Sequence, residues 1–196
     1  MDFIDRRRFL LASAAAGTAA ARGQEQPVRT AFIGTGGRGT YLLRGALPLP
    51  GIKVAAVCDI KPDRLDRAAS VAARDQPRTY SDWRRIIERK DVDAVFIATP
   101  DHWHARMALD AMAAGKDVYL QKPMTYTAEE ARQLAEAARK HGRVLQVGSQ
   151  HLSDARYREA RKVIEQGELG ALLWAQGTYS RDRKSTRLNS SHSLLS

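Results

Sequence analysis

The run VRTAFIG at residues 28–34 leads into TGGRG, which places Gly34, Gly36 and Gly39 in G-x-G-x-x-G spacing directly after a strand-like segment and at the opening of a helix-like one. Each glycine answers a separate steric need. The first permits a tight turn, the second lets a phosphate approach the backbone, and the third lets the helix pack close against the strand it follows. The free amides at the start of that helix then face an anion. Gly37 and Arg38 lie inside the same turn and join the candidate binding set. On its own the spacing is weak, because glycine-rich turns are common punctuation, so its context has to carry it.

That context is an alternation of short apolar runs with amphipathic stretches, the sequence form of a parallel sheet covered by helices. Strands are predicted at VRTAFIG, KVAAVCD, DAVFIAT, DVYLQ and RVLQVG, with helices between them. Ser81 is placed to cap DWRRIIER, and Thr127 with Glu130 has the spacing of a capping box at the start of AEEARQLAEAARKH. Gly115 and Gly142 each stop a helix just before a strand. Right-handed crossovers then give an α/β fold, one doubly wound parallel sheet over residues 28–148. After it come one more amphipathic helix, DARYREARKVIEQG, and a strand-like LLWAQGTYS. A helix and a lone strand cannot bury their own apolar faces, so residues 149–182 read as only the start of a second α/β domain.

The formal charge of +10 divides by segment: residues 1–24 carry +2 and residues 183–196 carry +3, leaving +5 for residues 25–182. There most of the basic residues sit beside acids on helices, the pattern of a solvated face, so nucleic acid is not expected as a partner. Cys58 is the only cysteine, which excludes an intramolecular disulfide and a thiolate metal cluster. Residues 1–24 pair Arg6 and Arg7 with an apolar stretch at residues 9–21 and a small-residue cleavage site at Ala19 to Ala21, which looks like a twin-arginine export signal. With thirteen residues that stretch is short of the ~20 a stable membrane span requires. Export of this kind moves folded proteins and so implies a cofactor loaded in the cytoplasm, with a periplasmic destination. The serine-rich RKSTRLNSSHSLLS has neither helical nor strand period, and residues 183–196 are expected to be a non-native tail, with a natural disordered tail as the alternative.

Three further clusters lie where strands end. Asp59 stands twenty residues past Gly39, where a carboxylate accepts hydrogen bonds from ribose hydroxyls; the plainer reading is a turn residue before KPD. Such a carboxylate repels a 2′-phosphate and favours NAD, while Lys61 and Arg64 nearby offset that repulsion and keep NADP open. ATPDHWHA puts Thr99 and Pro100 in the next strand-end loop. His102 and His104, two apart, point to different sides of a helix, which argues against a shared metal site, and none is expected. At least one of these histidines is expected to be structural. In YLQKPM the proline stops a strand, and Lys122 emerges at the same sheet edge, where a lysine can hydrogen-bond a substrate oxygen during hydride transfer; the alternative is an ordinary exposed strand-end lysine.

Taken in order, GTGGRG, CD, ATPDHWHARMALDAMAAGKDVYLQKPM and QVGSQ resemble the Gfo/Idh/MocA family of NAD(P)-dependent oxidoreductases, over residues 28 to about 182. The resemblance implies a Rossmann domain followed by an α/β domain that supplies much of the substrate pocket and the oligomer interface, so a homo-oligomer is expected of the full-length form. It places Gly34, Gly36, Gly39, Asp59, Thr99, Pro100 and His104 on the cofactor side and matches Lys122 to the lysine of the family's E-K-P motif. Gln121 departs from that motif, which usually has glutamate. By the same resemblance the acid/base residues come from the second domain, beyond this chain's end, so the chain is expected to bind cofactor better than it turns over substrate. The implied activity is oxidation or reduction of a sugar, polyol or related hydroxylated small molecule. The alternatives are a glycosidase of the same family that uses tightly held NAD, against which Lys122 counts, and a non-catalytic nucleotide-binding fragment.

Overall fold

The computed structural model describes residues 26–150 and 154–174. The expected export signal, the tail at residues 183–196 and most of LLWAQGTYS lie outside the described residues; residues 172–174, the start of that last run, are not in a strand. The described residues fall into two units divided after Ser149, each considered by itself.

In the first unit the elements follow as β1 (Val28–Ile33), α1 (Gly37–Ala46), β2 (Ile52–Cys58), α2 (Pro62–Val71), β3 (Arg78–Tyr80), α3 (Arg84–Ile87), β4 (Ala94–Ile97), α4 (His104–Ala113), β5 (Asp117–Gln121), α5 (Ala128–His141) and β6 (Leu145–Gly148). The six strands are all parallel in the order β3-β2-β1-β4-β5-β6. Chain order reverses between β1 and β4, and that reversal is the switch point where ligands of open α/β sheets collect.

Strand alternation sets the two layers. Along β1, Ala31 and Ile33 point into a core shared with Ile97, Met112, Leu120 and Leu134. Phe32, between them, points to the other face with Leu43, Val54 and Val57. Phe32, Phe96 and Tyr119 continue across neighbouring strands as a stacked ladder, with ring centroids 4.4 and 4.9 Å apart. Each fully buried large side chain in these layers contributes about 1.5–3 kcal/mol relative to exposure.

The capping box forms as expected: Thr127 Oγ1 accepts from the Glu130 amide, and the Glu130 carboxylate accepts from the Thr127 amide. Gly115 (φ 78°) and Gly142 (φ 59°) take left-handed conformations that end α4 and α5.

Two sequence expectations need correction. Ser81 does not cap a long helix; α3 is a single turn, and Asp82 Oδ1 accepts from the Arg84 amide at 3.0 Å, because a charged acceptor one residue closer takes the orphan donor first. The edge strand β3 was also not expected. Its three residues are too few to show a period, and only pairing with β2 at Ala56, Val57 and Cys58 defines it.

The second unit contributes α6 (Ala155–Glu165), with Asp154 accepting from the Arg156 amide at its start. This is the amphipathic helix expected after residue 149. Among the described residues no helix is long and apolar enough to cross a membrane.

Candidate functional site

The glycine turn sits at the switch point, and its geometry explains its composition. Gly34 has φ +83°, and a Cβ there would lie 2.9 Å from the Ala98 carbonyl group and from Thr99 Cγ2. The ends of β1 and β4 therefore meet at a residue that must lack a side chain. Gly39, in the first turn of α1, backs onto the Gly34 carbonyl: a Cβ there would overlap that oxygen, leaving no room for a methyl group. Gly36 differs. It is the N-cap of α1, and the nearest atom to a Cβ there is the tip of a flexible side chain, Arg64 Nη1 at 3.2 Å. Nothing lies within 4 Å of a Cβ on Gly37. The open side of the turn is therefore a cradle that a side chain would fill, at the positive end of a ten-residue helix with no acid in its first turn.

Asp59 holds this turn in place. It is buried, and its Oδ2 accepts from the Thr35 amide at 2.8 Å while its Oδ1 accepts from the Lys61 amide at 3.0 Å. Thr35 Oγ1 lies 3.3 Å from both Asp59 Oδ2 and the Arg64 carbonyl, and Thr40 Oγ1 donates to the Thr35 carbonyl at 2.8 Å. Asp59 thus joins the carboxyl ends of β1 and β2. The turn-residue alternative is realised together with a place in the cleft, since the Lys61 bond is a local turn. Thr35, which sequence reasoning passed over, is the residue through which the carboxylate reaches the glycines; its position between two of them was the available signal.

A cleft of about 680 Å³ opens along these strand ends. Gly34, Gly36, Asp59, Thr99 and Pro100 line it, and so do Ile60, Lys61, Arg64 and Trp103. Its size suits a cofactor-scale ligand. Ile60 is 83% exposed and Trp103 42%, so apolar surface faces the opening. Arg84 pairs with Asp82, whereas Lys61 and Arg64 make no ion pair among the described residues. Cys58 also lines the cleft, and its thiol is pushed up to about 12 by burial, with Asp59 and Asp82 adding to the shift. Gly37, Arg38, Gly39, His104 and Lys122 do not line this cleft.

His104 is almost wholly buried at the start of α4, with Nδ1 2.7 Å from the Pro123 carbonyl and Nε2 2.9 Å from the Thr99 carbonyl. Both ring nitrogens are occupied by backbone, so the ring ties the Thr99–Pro100 loop to the turn that follows Lys122 instead of presenting itself to a ligand. His102 is exposed beside Asp101. Lys122 is exposed, precedes a cis proline, and has no hydrogen-bond or ion-pair partner among the described residues. Its neighbour Gln121 is buried and accepts from Arg38 Nε at 2.9 Å, which brings the end of β5 to the first turn of α1. Among the described residues no three His, Cys, Asp or Glu side chains gather as a metal ion would require.

Residues 28–149 match the Gfo/Idh/MocA oxidoreductase family, NAD-binding Rossmann fold. A glycosyl hydrolase family 109 protein of Saccharopolyspora erythraea is 34% identical over 80% of this chain and 36% of its own length. An inositol 2-dehydrogenase of Klebsiella pneumoniae is 37% identical over 74% of this chain and 44% of its own. Among solved structures, scyllo-inositol dehydrogenase from Lactobacillus casei, with bound NAD(H) and scyllo-inositol, superposes with a TM-score of 0.68 at 25% identity, over 74% of this chain and 43% of that one. The chain thus spans less than half the length of these relatives.

Proposed function

Because the chain belongs to the Gfo/Idh/MocA oxidoreductase family, we propose that residues 28–148 bind NAD and form the cofactor half of an enzyme acting on a sugar, polyol or related hydroxylated compound. The bound nicotinamide supplies the hydride chemistry; the chain's residues bind, orient and polarise. The observation that carries this reading is the glycine turn at the switch point. Two of its glycines are sterically obligatory, and the third leaves its open side free for a phosphate.

Around that turn each residue has a stated part. Asp59 Oδ1 takes one protein donor and keeps acceptor capacity for a ribose hydroxyl. Lys61 and Arg64, at the same end and without an ion-pair partner among the described residues, lower the cost of a 2′-phosphate and keep NADP acceptable. Thr99 and Pro100 wall the β4 side, and His104 fixes their loop from behind. Lys122 donates a hydrogen bond to the substrate oxygen and favours its alkoxide form. Export through the twin-arginine route and assembly into homo-oligomers belong to the same proposal, supported by Arg6 and Arg7 and by the resemblance respectively. Replacing both arginines by lysine in a fusion of residues 1–24 to a folded reporter should block export; continued export would sink that part.

Glycosidase-named relatives give the second reading a specific basis. A cofactor retained through a transient oxidation would produce free sugar with no net redox change. Lys122 favours the dehydrogenase.

Equilibrium titration of the full chain with NADH tests the binding claim: saturable fluorescence enhancement at one site per chain is expected, and its absence for both NADH and NADPH defeats the proposal. Product analysis separates the two readings: net reduction of NAD marks the dehydrogenase, and sugar release without it marks the glycosidase.

A further inference from the structure

Arg38 is the second residue of α1, half-buried, and among the described residues its guanidinium is held at one nitrogen only. Nε donates to Gln121 Oε1 at 2.9 Å, and the group lies 5.0 Å from the centre of the Tyr41 ring. No ion pair among the described residues includes Arg38. The two Nη groups, a planar fork suited to a phosphate, therefore have no protein acceptor there. Their anchor, Gln121, is 5% exposed. On its other side the Gln121 amide nitrogen faces the Gly148 carbonyl at 3.5 Å.

An amide suits this place for a physical reason. It must accept from Arg38 and donate toward Gly148, and a carboxylate cannot do both. A carboxylate would also neutralise the guanidinium inside a buried pair and aim an anion at a carbonyl oxygen. The amide holds the arginine without cancelling its charge.

We propose that Gln121 is a positioning residue: it holds Arg38, at the start of α1 within the glycine turn, as an uncompensated cation for the phosphates of the dinucleotide. This rests on the cofactor reading above and deepens it by assigning the cation that complements the α1 N-terminus. Gln121 itself touches no ligand, and its effect passes through Arg38.

The test is NADH binding by the full chain over a range of salt concentrations, for the wild type, Gln121→Glu, Arg38→Gln and the double variant. Gln121→Glu keeps an acceptor for Nε but cancels the charge. It should weaken binding roughly tenfold, the scale of one charged hydrogen bond, and flatten the salt dependence. Arg38→Gln should do the same, and the double variant should lose no more than either single one, since both act through one charge. A merely structural glutamine would shift thermal stability and leave the salt slope alone. If Gln121→Glu fails to fold by circular dichroism, Arg38→Gln alone decides, its half-exposed side chain being removable without a cavity. Unchanged affinity and salt slope in either folded variant, with the wild type binding NADH, overturns the inference. A wild type that binds no dinucleotide defeats instead the cofactor reading on which it rests.

Discussion

The Gly34 carbonyl oxygen occupies the space that a Cβ on Gly39 would need. That single approach joins the end of β1 to the first turn of α1, and it cannot relax without moving backbone on one side or the other. Gly39→Ala should therefore destabilise the fold by about 1–3 kcal/mol, the usual range for forcing extra volume into packed backbone, and weaken NADH binding with it. Urea denaturation monitored by circular dichroism checks this. A variant with wild-type stability would show that α1 can lift away from the turn at no cost.

Gly36→Val separates binding from folding. Only the tip of Arg64 lies near a side chain at this position, and that tip can swing away. Stability should stay within about 1 kcal/mol of the wild type, while NADH binding is abolished because the valine fills the cradle. Retained NADH affinity in a folded Gly36→Val chain would place the phosphates elsewhere.

Cys58 offers a chemical reading of the same strand edge. It is buried, and its thiol is raised to about 12, chiefly by burial. At pH 8 the folded chain should leave this thiol unlabelled by a disulfide reagent over hours, and full reaction should appear only once urea unfolds it. Rapid labelling in native buffer would mean that the β2 end opens far more readily than its packing implies.

These contrasts mark what the sequence carried. The glycines were readable because one short interval has one steric solution, and the strands β1, β2, β4, β5 and β6 because their apolar residues are numerous enough to show a period. Edge strand β3 was not, since RTY acquires its conformation from β2. Ser81 and Asp82 compete for the same amide, and the choice turned on local geometry that spacing alone does not encode. His104 was legible as a helix-start residue, and by resemblance as a cofactor-side one, but not as a buried clasp, because its partners are backbone carbonyls, which sequence never distinguishes. Gln121 showed only as a departure from a motif. Its link to Arg38, 83 residues away, exists only after folding.

The opposite edge of the sheet predicts how the chain responds to acid. Arg29 at the start of β1 donates to both carboxylate oxygens of Asp93, from its backbone amide, Nε and Nη2, at 2.7 to 3.0 Å. Arg29 thereby holds the Asp93 carboxyl below its usual range. Next to it Asp91, paired with Arg89, is lowered to about 2. A folded-state value below the unfolded one, ~3.9 for aspartate, means that the stabilising contribution is complete above pH 4 and disappears as pH falls through the folded value. The Asp93 and Asp91 carboxylates are both open to solvent, so screening keeps each contribution small. Wild-type stability should decline between about pH 4 and pH 2, and the Asp91→Asn, Asp93→Asn double variant should begin lower at pH 7 and decline less steeply across that window. Urea midpoints measured at pH 7, 4, 3 and 2 decide it: equal slopes for the two proteins would mean that other carboxylates carry the acid response.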